Sequence, residues 1–575
     1  MRVRRGGLRM GFVVIVVFAV VVAFVVRLVD IQVVSASALA EQAKEKRAIA
    51  TTIYGTRGNI VDRNGAVLAD SVERYTITVS PRVAFRNQEL YGPVLPWLEQ
   101  IAGVTGQDPS VLLTIMEADR DADYAVLAEN LSLDQLLAIN ELDIPWVWPE
   151  RVEARTYPNG AVAGNLIGFL GKDEPLAGLE RSENECLDGK DGTVTFERSV
   201  DGVRIPNTEI VEEPAEDGGT LQLTIDRDLQ WYVQEAIAKT GQRLGATWAA
   251  AVVIRISDGA LMAVADWPTV DPNAFEQADP AVTGSRAFAI PYEPGSIMKP
   301  INAAIVIDQG AATPTTPVDA PYMKSFGDGG LITDSSWHDP HLTLTGSLVH
   351  SSNVATSMFA DMVPDDVRRE YLLDFGFNDW TEVDFFGESA GLVHPLENWD
   401  ARTRLVQSYG QAITTTILQM ASAYQTLGNN GVRMPLKLVE SCTMPDGTVI
   451  TPDRGEPRQV VSESSADQVL AMMEMVYQHN GLWDQLEIPG YRVGVKSGTA
   501  EVAENGVYTQ KVDISYAGVA PIDNPQYAVV VSAGIPYALL SGAIASTFRD
   551  VMSQTLTMFR VPPSQGEAVQ LPITW

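Results

Sequence analysis

Apolar and charged positions are set against each other most sharply in the first thirty residues. Arg2, Arg4, Arg5 and Arg9 precede an uncharged run from Gly11 to Val26, which Leu28 and Val29 prolong past Arg27. A helix of about twenty such residues crosses a bilayer core, so residues 10–29 are predicted to form a transmembrane anchor behind a basic tail, residues 1–9. The upstream arginines predict a cytoplasmic N-terminus and an extracytoplasmic body. "SASALA" (35–40) suggests a cleavable signal peptide instead. The apolar region is long for that role, and Arg27 and Asp30 separate it from the small residues, so an uncleaved anchor is expected.

After the anchor, residues 36–49 read as a short polar helix. From Thr51 to Asp217 the pattern is mixed: strand-like runs broken at Asn64-Gly65, helical stretches over 91–145, then glycine-rich turns. The acidic "VEEPAEDGGT" (211–220) marks a boundary. Next come a strand, an N-cap at Asp226 and a helix expected to bury Leu229, Tyr232, Val233, Ala236 and Ile237. "WAAAVVIRISDGALMAVADW" predicts two strands joined at Asp258-Gly259. Further strands are predicted only in "YRVGVKSGTAEV", "DISYAGVA" and "QYAVVVSAG", followed by an amphipathic helix in "AIASTFRDVMSQTLTMF". Strands at both ends of a domain, with hairpins and no βαβ alternation, predict an antiparallel sheet with helices on its faces. The expected division is residues 30–217, residues 218–562 and a C-terminal tail, 563–575.

Composition narrows the function. Of 575 residues 46% are hydrophobic, enough for a substantial core, and the net charge of −32 lacks the basic footprint that nucleic acid requires. The acidity reads as a solvated surface. Cys186 and Cys442 make neither a disulfide framework nor a zinc site; pairing in an oxidising compartment is the lesser expectation.

The candidate chemistry begins in "PYEPGSIMKP" (291–300). Ser296 and Lys299 stand three apart, so on a helix they share a face. Lysine is a poor base at its ordinary pKa, so burial or a second cation must depress it. Pro300 has no N–H to meet the Ser296 carbonyl, which predicts an irregular helix at the serine. A lone Ser-x-x-Lys pair is weak, being usually a helix cap and a solvated lysine. Two later segments change that: Ser351-Ser352-Asn353 in "HSSNVA" and Lys496-Ser497-Gly498-Thr499 in "VKSGTAEV".

The ordered set Ser-x-x-Lys, Ser-x-Asn and Lys-Ser-Gly-Thr is the signature of the penicillin-recognising serine enzymes. "RGNIVDRNG" (57–65), "RTYPNGAVAGNLIGFLG", "LDGKDG" (187–192), "DPNAF" (271–275), "YGQAITTTILQMASAYQTLGNNG" (409–431) and "GVAPIDNPQYAVVV" extend the likeness over nearly the whole chain. The chain thereby resembles the class B penicillin-binding proteins, membrane-anchored peptidoglycan D,D-transpeptidases. The resemblance implies an α+β transpeptidase fold, a five-stranded antiparallel sheet with helices and an all-helical subdomain, preceded by an elongated pedestal and the anchor. It implies Ser296 as nucleophile on the penultimate D-alanyl carbonyl and Lys299 as base. Ser351 would relay a proton to the leaving amine, and Asn353 would hold Lys299 and the substrate amide. Lys496, with Ser497 and Thr499, would bind the terminal carboxylate, and the N–H groups of Ser296 and Thr499 would form the oxyanion hole. Gly498 would leave room for the acyl group. No cofactor or metal is implied.

The implied partners are donor and acceptor stem peptides, β-lactams as covalent inhibitors, and a SEDS-type lipid II polymerase with other divisome membrane proteins. Ser-Ser-Asn favours the septal, FtsI-like branch over elongation-type enzymes, and little chain remains after the closing helix for C-terminal repeats. Arg57, Asp62 and Arg63 are expected to be architectural, a turn held by salt bridges. Ala412-Ile413 departs from a more usual glycine-containing pair and is expected to alter local packing only. Competing readings are a β-lactam sensor or hydrolase, a non-catalytic division scaffold, and an α/β-hydrolase using Ser389 of "GESAG" (387–391), which lacks the helix such an elbow needs. His350 is expected to be a wall or core residue.

Overall fold

The computed structural model describes residues 4–37, 48–171, 174–197, 207–479, 481–504 and 506–575. They fall into two compact units, Met1–Arg57 with Asp188–Gly218, and Gly58–Leu187 with Gly219–Trp575. The first contains a helix, Arg4–Val29, overlapping a stretch, Arg9–Val34, that is long and apolar enough to cross a membrane. It also holds a three-stranded antiparallel sheet of Ala48–Ile53, Gly192–Glu197 and Ile210–Glu213. The polar helix expected over 36–49 lies largely outside the described residues; at its end, Ala48 and Ile49 are in a strand.

In the larger unit the predicted five-stranded sheet is present. Its strands are β1 (Trp248–Arg255), β2 (Leu261–Trp267), β3 (Gly494–Glu504), β4 (Val507–Ala520) and β5 (Tyr527–Ile535), ordered β2-β1-β5-β4-β3 and antiparallel throughout. Every residue of β5 is buried, which explains an apolar run interrupted only by Ser532: both faces are covered. The helices that matter are α1 (Arg227–Leu244), α2 (Lys299–Asp308), α3 (Asn353–Ala360), α4 (Ile417–Gly428), α5 (Glu463–His479) and α6 (Ala545–Met558). Helices α1 and α6 pack on each other and on the sheet, α4 covers β1, β5 and β4, and α5 lies against β3 and α2.

Asp226 caps α1 as predicted, accepting from the N–H groups of Asp228 and Leu229. Leu229, Val233 and Ile237 are buried, whereas Tyr232 and Ala236 are only half-buried. Gln230 and Gln234 take buried places instead. The Gln230 amide bonds both the N–H and the C=O of Val264 on edge strand β2, at 2.8 and 2.7 Å, so no polar group is left unpaired.

A second sheet joins distant parts of the same unit. Its order is Val449–Ile450, Val439–Thr443, Thr220–Leu223, Ile60–Val61, Val67–Val79 and Ala125–Leu131, with Val147–Thr156 also on Val67–Val79. Ile60–Val61 and Thr220–Leu223 run parallel. Beyond it, Ile77, Leu98, Ile101, Leu112, Met116 and Trp146 form a separate small core.

Two expectations need correction. Cys186 and Cys442 are paired, their Cα atoms 6.1 Å apart; strand 439–443 pairs with 220–223, and the adjoining Gly219 N–H reaches the Cys186 carbonyl, which sequence separation conceals. Among the described residues, Asp62 and Arg63 form no turn salt bridge. Buried Asp62 accepts the N–H groups of Asn64, Ala66 and Arg227 at 2.8, 2.8 and 3.1 Å, and Arg63 stacks on Phe559. Arg57 pairs with Asp188 at 3.4 Å.

Candidate active site

The stretch around Ser296 is one tight 3₁₀ turn, Gly295–Met298, running into α2. The Ser296 carbonyl, deprived of a partner by Pro300, accepts the N–H of Lys299 instead, so the irregularity expected from Pro300 becomes this turn. The turn is pinned on several sides. Tyr424 of α4 donates its hydroxyl to the Ile297 carbonyl at 2.9 Å, and the Gly295 N–H reaches the Gly410 carbonyl at 3.0 Å. Gly410, with φ +82°, passes so close that a Cβ there would stand 2.2 Å from the Gly295 oxygen. Ser296 is partly exposed, and among the described residues its hydroxyl has no hydrogen-bond partner.

Lys299 is fully buried. Its Nζ donates to the Ser351 carbonyl, to Ser351 Oγ at 3.2 Å and to Asn353 Oδ1 at 2.8 Å, with the Tyr409 ring 5.9 Å away. Lys496, on β3, is also buried and donates to the same Ser351 Oγ at 3.0 Å and to the Ser497 carbonyl at 3.0 Å. One serine hydroxyl thus sits between two amines. Burial pushes Lys496 down to about 7. Lys299 lies well below the ordinary lysine range, through burial first and the neighbouring Lys496 charge second, against an opposing pull from Asp334. Two ammonium groups sharing one buried hydroxyl repel, which favours the neutral form of an amine here.

Ser351 holds its place in a left-handed conformation, φ +53°. Such a backbone costs about 1–3 kcal/mol and is offset here by the lysine bonds to its carbonyl and hydroxyl. Ser352 caps α3, accepting from the N–H of Ala355 at 2.9 Å. Asn353 is held at both ends, its Nδ2 donating to the Thr333 carbonyl at 3.2 Å.

Strand β3 presses against the Ser296 turn through a residue without a side chain. A Cβ on Gly498 would stand 2.9 Å from the Pro294 oxygen, and one on Gly295 3.0 Å from the Thr499 oxygen. Thr499 Oγ1 accepts the Ser541 N–H at 3.2 Å.

Hydrogen bonds therefore link Lys299, Ser351, Asn353 and Lys496 directly; Ser296 and Ser497–Thr499 adjoin them through the turn and the strand. Sequence reasoning missed Glu293, Tyr409 and Asp334. Glu293 carries a readable sign, standing three residues before Ser296; its carboxylate, pushed upward by burial, accepts the Ala412 N–H at 2.9 Å. Ala412 is itself left-handed, φ +54°, where the usual glycine would be at ease. His350 stacks on His338, ring centroids 5.6 Å apart, and burial lowers its pKa, as a wall residue. "GESAG" forms a loop in which Ser389 Oγ accepts the Gly391 N–H, with no helix directly after it, so that hydrolase reading falls.

Fold and site meet in one family. Residues 249–553 match the penicillin-binding protein transpeptidase domain and residues 52–175 the penicillin-binding protein dimerisation domain. Over 97% of this chain and 92% of the relative, the sequence is 32% identical to penicillin-binding protein PbpB of Mycolicibacterium smegmatis. It is 28% identical to peptidoglycan D,D-transpeptidase FtsI of Escherichia coli, covering 93% and 89% of the two chains. Penicillin-binding protein 3 of Mycobacterium tuberculosis, solved with aztreonam, superposes with a TM-score of 0.70 at 27% identity, over 91% of this chain and all of the other. The chain belongs to the class B penicillin-binding proteins.

Proposed function

We propose that the protein is a serine-type peptidoglycan D,D-transpeptidase of the division type and a target of β-lactams. The observation that carries this reading is the Ser351 hydroxyl held between buried Lys299 and Lys496 beside the turn bearing Ser296. Neutral Lys299 takes the Ser296 proton as Oγ attacks the penultimate D-alanyl carbonyl. The carbonyl oxygen gathers charge against the N–H groups of Ser296 and Thr499. Ser351, bonded to both lysines, passes a proton to the departing D-alanine nitrogen, leaving an ester on Ser296. An acceptor amine from a second stem peptide then attacks that ester, gives up a proton along the same route, and frees Ser296 with a new amide cross-link. Lys496, Ser497 and Thr499 receive the substrate carboxylate, and Asn353 orients Lys299 and the peptide. Gly498 keeps the strand close to the acyl group.

The septal assignment rests on Ser-Ser-Asn and on relatives named FtsI and PbpB. The apolar helix and its upstream arginines support a single-pass anchor with the catalytic residues outside the cell membrane. A SEDS-type lipid II polymerase and other divisome membrane proteins are the partners this placement suits. Labelling by a fluorescent penicillin tests the core claim: the wild type is expected to label covalently and Ser296→Ala to lose all labelling. Persistent labelling of Ser296→Ala overturns the nucleophile assignment; an unlabelled wild type favours the scaffold reading.

A further inference from the structure

Behind the Ser-Ser-Asn segment lies a buried acid that the reaction above does not use. Asp334 follows the short strand Leu331–Thr333 and is 4% exposed. Its Oδ1 accepts the N–H groups of Asn353 and of Val354, the latter at 3.0 Å. Its Oδ2 accepts the Ser352 hydroxyl at 2.8 Å and faces His338 Nε2 at 2.7 Å. These contacts take up the first free donors of α3, where a carboxylate is favoured on both hydrogen-bonding and dipole grounds. His338 is buried too, and its Nδ1 lies 2.8 Å from the Asp339 carbonyl. Each ring nitrogen faces an oxygen, and Nε2 is placed to donate to the Asp334 carboxylate.

We propose that Asp334, backed by His338, is a positioning residue for the reaction at Ser296. Its carboxylate locks the Ser351–Asn353 turn and the start of α3, so that Ser351 and Asn353 meet Lys299. Three independent contacts give the acid this leverage: the Ser352 side chain, the Asn353 backbone and the Val354 backbone. The neighbouring Thr333 carbonyl holds the Asn353 amide from the same strand end. Asp334 acts on the site a second way, as the negative charge facing Lys299. The other groups around Lys299 are Lys496, which opposes that charge, and the Tyr409 ring; those around His338 are Asp334, the Asp339 carbonyl and the half-buried His350 ring.

The test is the second-order rate of acylation of the full-length protein by a fluorescent penicillin, followed against pH. Asp334→Asn is expected to slow acylation by about ten- to a hundredfold, as loss of charge-assisted hydrogen bonds does. Its acidic limb should also move to lower pH, because Lys299 loses the anion that favours its ammonium form. His338→Leu, which removes the donor to Asp334, should slow the reaction; His338→Gln, which keeps an N–H there, should recover most of the rate. A folded Asp334→Asn that acylates within about twofold of the wild type, or loses rate equally at every pH, overturns the proposal. If Asp334→Asn does not fold, the histidine pair decides: equal rates for His338→Leu and His338→Gln overturn it. Because the proposal rests on Ser296 as nucleophile, Ser296→Ala is run alongside. Retained labelling there defeats the functional reading, and this one with it; lost labelling with an unaffected Asp334→Asn defeats this one alone.

Discussion

Two amines on one serine hydroxyl make the protonation of this site a shared property. Lys299 and Lys496 both donate to Ser351 Oγ, at 3.2 and 3.0 Å, and burial disfavours the charged form of each. Such groups titrate as a set, and a change at one appears at the other. Lys496→Met removes a cation that holds Lys299 down, so the Lys299 pKa rises and more acid is retained at neutral pH. Besides losing affinity for carboxylate-bearing penicillins, this variant is expected to show its acidic limb at higher pH, opposite in sign to the Asp334→Asn shift. A pH–rate profile of acylation reads both. A limb in the wild-type position counts against Lys299 as the base.

At the scale of elements, local rules of the chain account for the turn that bears Ser296. Pro300 forbids an ordinary helical bond to the Ser296 carbonyl, and the 3₁₀ turn follows. Mostly apolar runs announced β1 and β5, and Asp226 announced the start of α1. That Lys299, Ser351, Asn353 and Lys496 would meet was legible because the motif restricts both residue type and order. Less legible was whatever depends on distant segments meeting. Asp334 stands in "TDSSWHDPH", a polar stretch that reads as solvated, and only the approach of α3 buries it. Gln230 looks like a surface residue until β2 offers it a bare edge. Ala412 is the converse case, a departure visible in sequence whose cost is visible only in its φ of +54°. A left-handed alanine is strained by about 1–2 kcal/mol. Ala412→Gly keeps the N–H that Glu293 accepts, and should raise the urea midpoint, through a gain of about 0.5–1.5 kcal/mol in unfolding free energy, without altering penicillin acylation. An unchanged or lowered midpoint removes the claim of strain.

At the scale of the whole molecule, the larger unit is held together by a sheet and a disulfide whose members lie far apart in the chain. The Cys186–Cys442 bond spans 256 residues. Bonds closing long loops typically contribute about 2–4 kcal/mol, so Cys186→Ala is expected to lower the unfolding midpoint, and reduction of the wild type to do the same. Thiol titration of the oxidised, denatured protein should find no free cysteine. Two titratable thiols, or a midpoint indifferent to reductant, would show the bond unformed.

The sheet through Thr220–Leu223 bears on how the polypeptide can be divided. That strand has Ile60–Val61 on one side and Val439–Thr443 on the other, so it belongs equally to the beginning and the end of the chain. A cut at the acidic boundary near residue 218 looks harmless on paper. It removes one neighbour, strips the cover from Leu221 and Leu223, which are fully buried in the intact protein, and orphans Cys442. The remainder would carry an open, apolar strand edge of the kind along which separate molecules zip together. Shortening that spares Gly58–Leu187 leaves the strand its partner, whereas a catalytic fragment begun at 218 trades a solvated turn for a sticky seam.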